Sequence, residues 1–68
     1  MEKIKIETEF IRLDSLLKLS GLVDTGGQAK FVIQGGEVSV NEEPCLMRGK
    51  KLRPGDTVTY AGKRFQVE

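Results

Sequence analysis

The sequence contains no histidine, no tryptophan and a single cysteine, Cys45. Without histidine, the commonest general base and the commonest metal-ligating side chain are missing. One thiol cannot close an internal disulfide, and one thiol without histidine does not make a zinc site. Such cysteine usage fits a reducing cytosol better than secretion. No apolar run approaches the roughly 20 residues that cross a bilayer. The N-terminal "MEKIKIETEF" lacks the apolar core of a signal peptide. These absences predict a cytoplasmic protein with no metal, no cofactor and no membrane segment. A chain of 68 residues fits one domain, 1–68, with a small core and no deep pocket for a small-molecule substrate.

Charge of neither sign dominates, since the net charge is +1. The distribution is uneven. Residues 48–64 carry six basic side chains (Arg48, Lys50, Lys51, Arg53, Lys63, Arg64) and one acid, Asp56, whereas residues 1–47 carry five basic and eight acidic ones. A basic final third beneath a near-neutral average steers a polyanion locally. Within it, "RGKKLR" places Arg48, Lys50, Lys51 and Arg53 together with no acid between them, and reads as a mobile cationic loop.

The patterning predicts short elements. "KIKIE" (3–7) alternates like a strand, with Ile4 and Ile6 on one face. Phe10, Leu13, Leu16 and Leu17 make a helical stripe over 9–19, with Thr8 as its N-cap and Gly21 as its stop. A second helix, 26–34, is capped by Asp24 or Thr25 and turns Ala29, Val32 and Ile33 inward. "EVSVN" alternates, "NEEP" turns, "CLM" returns, and Pro54-Gly55-Asp56 turns again. "TVTYAGKRFQV" reads as a final hairpin with strands at 57–60 and 64–67. The fold class is α+β, with two short helices packed on a small antiparallel sheet.

"LVDTGGQAK" (22–30) admits three readings. As the Asp-Thr-Gly of an aspartic protease, Asp24 would follow a strand, but "LLKLSGL" before it has helical spacing. As a hydrolytic Gly-Gly-Gln, Gln28 would need an extended loop, but it precedes Ala29 and Lys30 at a helix start. The third reading asks least. A helix N-terminus carries unpaired N–H groups and partial positive charge, and Gly26 and Gly27, lacking Cβ atoms, leave a phosphate room to approach. The alternative is a loop pair that needs positive φ, with the helix starting at Gln28. Phe31 and Tyr60 are the aromatics that could stack on unpaired bases. Phe31 follows Lys30 in an apolar run and reads as core rather than platform, and Cys45 beside Leu46 reads as a small core residue. Tyr60 stays open between core and base contact.

Taken in order, Arg12-Leu13-Asp14, Ala29-Lys30, "GEVSVN" (36–41) and Pro54-Gly55-Asp56 resemble the S4 RNA-binding domain, over roughly 10–58. The chain is also similar to the small stand-alone bacterial S4-like proteins of the YaaA type through "TEFI", "TGGQAK" and "RGKKLRPGD". Two positions depart from the pattern: Thr25-Gly26 stands where many S4 domains have Ser-Arg, and Glu42 where a glycine follows "VN". The resemblance implies the S4 (αL-like) arrangement, with RNA held across the helix N-termini and nearby basic loops. It implies structured RNA as partner, rRNA or tRNA, in ribosome assembly or translation, bound by a monomer without catalysis. The residues expected to meet RNA are Arg12, Gly26, Gly27, Gln28, Lys30, Gln34, Arg48, Lys50, Lys51 and Arg53. The competing expectation is a protein-interaction module whose basic loop docks an acidic partner.

Overall fold

The leucines at 13, 16 and 17 and the Ala29-Val32-Ile33 set are all buried, so both helical stripes face one core. The computed structural model describes residues 1–68. In chain order the elements are β1 (Glu2–Ile4), β2 (Ile11–Arg12), α1 (Leu13–Leu19), α2 (Gly26–Gln34), β3 (Val38–Val40), β4 (Glu43–Pro44), β5 (Lys51–Leu52), β6 (Thr57–Tyr60) and β7 (Lys63–Val67). Five strands form one sheet in the order β1-β7-β6-β3-β4, and β2 with β5 makes a separate two-stranded ribbon. The fold is α+β, as the patterning predicts.

The sheet is antiparallel except at one edge, where β1 runs parallel to β7. These strands lie at opposite ends of the chain. Their connection is the whole domain, so no hairpin imposes an antiparallel pairing. β1 ends at Ile4 rather than 7, but Glu68 N–H donates to the Ile4 carbonyl and Ile6 N–H to that of Glu68. Ile4 and Ile6 both pack against the core.

Every buried residue is apolar: two helices contribute six, Val23 closes the turn between them, and Val38, Val40, Leu52, Val58, Phe65 and Val67 come from the strands. No desolvated polar group has to be satisfied inside. Truncating one of the fully buried leucines to alanine costs about 2–5 kcal/mol, a large share of what so small a core supplies.

Three local expectations are corrected. Helix α1 begins at Leu13, not at 9, because Ile11 and Arg12 are extended and pair with Leu52 and Lys51. Thr8 is therefore not its cap; its hydroxyl donates to the Phe10 carbonyl. "CLM" is not a strand: β4 stops at Pro44, Cys45 is half-buried, and Leu46 and Met47 are exposed. Phe31, expected in the core, is 75% exposed, because the inward face of α2 is already filled by Ala29, Val32 and Ile33.

The two hairpins turn on two-residue loops, Asn41-Glu42 between β3 and β4 and Ala61-Gly62 between β6 and β7. All four residues have positive φ, the backbone that matches the twist of adjoining strands. Asn41 also reaches across to the Pro54-Gly55-Asp56 turn. Its side-chain amide donates to Asp56 at 3.2 Å, and its Oδ1 accepts the Thr57 N–H at 3.0 Å. Two sequence motifs fifteen residues apart are thus one structural joint. No helix is long and apolar enough to cross a membrane.

Candidate RNA interface

The first turn of any helix leaves N–H groups without intrahelical partners. In α1 the first two are taken by the basic loop and the third by a side chain of the helix itself. Leu13 N–H donates to the Lys50 carbonyl at 2.9 Å, and Asp14 N–H to the Arg48 carbonyl at 3.0 Å. Ser15 N–H is accepted by Asp14 Oδ1 at 2.8 Å. Together with the β2–β5 pairing, these bonds hold residues 48–52 against the start of α1. The expected mobile loop is instead anchored at its backbone. The first-turn amides of α1 are therefore already hydrogen-bonded within the chain, unlike those expected to meet a phosphate.

Anchoring gathers charge. Arg12 pairs across the ribbon with Lys51, and its guanidinium lies over Gly49, where a Cβ would come within 3.6 Å of it. Asp14 Oδ2 accepts from that guanidinium at 3.1 Å and fixes its direction. Lys51 Nζ stands 4.8 Å from the centre of the Phe10 ring, a cation–π distance. Arg48, Lys50, Lys51 and Arg53 are exposed and form no ion pair; the pairs present are Lys3–Glu68, Arg12–Asp14 and Arg64–Glu42. Glu42 is thereby turned toward Arg64 at 2.7 Å. Arg53 N–H donates to Asp56, which ties the end of the loop to the next turn.

The entrance of α2 is built differently. Thr25 is the N-cap, and its Oγ1 accepts the Gln28 N–H at 3.1 Å. Gln28 Oε1 in turn accepts the Asp24 N–H at 3.0 Å. This is a variant capping box, and its Thr-x-x-Gln signal stands in the sequence at 25–28. The box assigns Gln28 a local structural bond that the sequence reading missed. Its backbone N–H is thereby occupied. Gly26 and Gly27 differ: both are helical without positive φ, both are exposed, and their N–H groups make no hydrogen bond within the chain. A Cβ at Gly26 would meet nothing within 4 Å, and one at Gly27 only Thr25 Oγ1 at 3.9 Å. Neither packing nor backbone geometry requires glycine there, which removes the positive-φ loop alternative.

The expected residues thus fall into two groups. Arg12, Arg48, Lys50 and Lys51 are held together at the α1 entrance, with Arg53 just beyond them. Gly26, Gly27, Gln28, Lys30 and Gln34 lie exposed along α2. No hydrogen bond or ion pair joins the groups. Leu46 bridges toward them: its Cδ2 lies 4.0 Å from the Cβ position of Gly36, just past the end of α2, and the chain then runs through Met47 into Arg48. The glycine amides are at the other end of α2, about 13 Å along its axis at 1.5 Å per residue.

Comparison with known proteins identifies the family and the fold. The family model for the S4 domain matches residues 4–68. The chain is 46% identical over 65 residues to RlbA of Bacillus subtilis, called a probable ribosome maturation protein, covering 94% of this chain and 92% of that one. It is 39% identical over 57 residues to YbcJ of Escherichia coli, covering 84% and 81%. The solution structure of YbcJ, described as revealing a motif involved in RNA-binding, superposes with a TM-score of 0.74 at 34% identity over 98% of this chain and 86% of that one. By sequence and by fold, the chain belongs to the S4 domain family.

Proposed function

We propose that the chain is a non-catalytic RNA-binding module that recognises structured RNA, rRNA or tRNA, during ribosome maturation or translation in the cytoplasm. The observation that carries this reading is the anchored cluster of Arg48, Lys50 and Lys51 beside Arg12, free of acidic partners except for Asp14. Backbone bonds hold the loop, so less ordering is needed when a polyanion arrives. The amides of Gly26 and Gly27 and the side chains of Lys30, Gln34 and Arg53 add phosphate or sugar contacts, and Gln28 keeps its side-chain N–H₂ for the same use. The naming of relatives as RNA-binding or ribosome-maturing proteins supports RNA as the polyanion. A monomer is sufficient, because every group in this account comes from one chain.

The test is salt dependence. Four to six phosphate contacts give a slope of log K against log[salt] of roughly −3 to −5. Binding that ignores salt, or none to any folded RNA, rejects the reading. A second reading draws on Leu46 and Met47, exposed at 59% and 67% beside the basic loop, which a protein partner with an acidic surface could cover. Partners retained in a pull-down after ribonuclease treatment favour that reading; partners lost favour RNA.

A further inference from the structure

We propose that Phe31 is a stacking platform for an unpaired base of the bound RNA, with Lys30 beside it for the adjoining phosphate. This rests on the RNA-binding reading and adds what kind of RNA the chain prefers.

At 75% exposure, Phe31 is the most exposed of the large apolar side chains. It is not spare core: Ala29, Val32 and Ile33 fill the inward face, and Phe31 stands on the opposite side with Gly27, Lys30 and Gln34. A helical side chain leans over the turn preceding it, which for Phe31 means Gly27 and Gln28. Gly27 has no side chain to shield the ring, and only Thr25 Oγ1, at 3.9 Å, comes near its Cβ position. An aromatic face, a lysine and two unpaired backbone amides therefore adjoin one another.

The neighbourhood favours a nucleotide over an apolar protein surface. Helix α2, "GGQAKFVIQ", contains no acidic residue, and the groups flanking Phe31 are cationic or polar rather than apolar. Past the end of the helix, the Glu37 carboxylate lies 3.4 Å from the Cβ position of Gly35. Every base has a π-face, so such a site tolerates sequence but requires a base out of the helix stack. A paired duplex offers none.

The chain has no tryptophan, so Phe31→Trp introduces a sole indole reporter at the platform. The probes are fragmented ribosomal RNA, which contains unpaired nucleotides, and a blunt RNA duplex. Indole fluorescence should be quenched by the fragments and not by the duplex. Phe31→Ala should weaken binding to the fragments by about 5- to 100-fold, with the salt slope unchanged and duplex binding unaffected. Its melting temperature should not fall, because the ring is exposed and alanine is the better helix former. If the unaltered chain binds the fragments with steep salt dependence, yet Phe31→Ala binds equally and the indole is not quenched, stacking is wrong and RNA binding stands. If the unaltered chain binds neither RNA, both readings fall. Loss of a ribonuclease-resistant protein partner in Phe31→Ala, with RNA binding intact, would make the ring a protein contact and overturn the proposal.

Discussion

The backbone N–H of Leu13 donates to the carbonyl of Lys50 at 2.9 Å, so the first turn of α1 is completed by the loop that carries the basic cluster. The positive end of the helix dipole favours a carbonyl oxygen at that point. Lys50 thus has two separable parts: its backbone holds the loop, and its exposed ammonium is free for a phosphate.

That separation gives a direct test. Replacing Lys50 and Lys51 together by glutamine should lower RNA affinity similarly for all sequences and reduce the salt slope by about 1.5–2. Thermal stability should change by no more than about 1 kcal/mol, since only the exposed Lys51–Phe10 contact is lost. Filter binding across a salt series, with circular dichroism melts, checks both parts.

Gly26→Ala and Gly27→Ala should separate stability from binding in the opposite way. Both sites have room for a methyl group, so each change should stabilise α2 by up to about 1 kcal/mol. RNA affinity should fall, because the methyl groups hold a phosphate away from the amides. Unchanged affinity would remove these amides from the interface while leaving the basic cluster untouched.

Thr25 should behave as a cap. Thr25→Ala removes the acceptor of the Gln28 N–H and should cost about 0.5–2 kcal/mol in denaturant unfolding. Thr25→Asp keeps the cap and should preserve stability. It also sets a carboxylate beside the glycine amides, so RNA binding should weaken although the fold does not.

Two side chains occupy backbone positions that suit glycine or asparagine. Ala61 has φ 53° and Glu42 φ 71°. Ala61→Asn should stabilise by about 0.5–1 kcal/mol, because it relieves a left-handed alanine and loses no side-chain contact. Glu42→Gly gains similarly but gives up the Arg64 pair, an exposed contact of about 0.2–1 kcal/mol, so its net gain should be smaller. For a domain this size, 1 kcal/mol corresponds to a melting shift of about 4–8 °C.

Much of this was legible in the chain. Ala29, Val32 and Ile33 face inward as their spacing requires, and of the two expected cap candidates, Asp24 and Thr25, it is Thr25 that caps α2. The α1 boundary was not legible. Phe10 continues the apolar spacing of Leu13 and Leu17, but the strand pairing of Ile11 with Leu52, forty-one residues away, overrides that local pattern. Phe31 was misread for a related reason. An apolar run shows that residues are hydrophobic, not which of them the neighbouring elements leave uncovered.

The sequence by itself determined the α+β class, the two helical stripes, the turn residues and the uneven charge, because propensity, periodicity and composition act over a few neighbouring residues. Only the tertiary structure decided that the basic loop is fastened to α1, that the amides of one helix entrance are bonded within the chain while the other keeps two bare amides, and that Phe31 faces out. Those outcomes depend on which carbonyl meets which N–H, and which faces are already filled, once distant segments pack together.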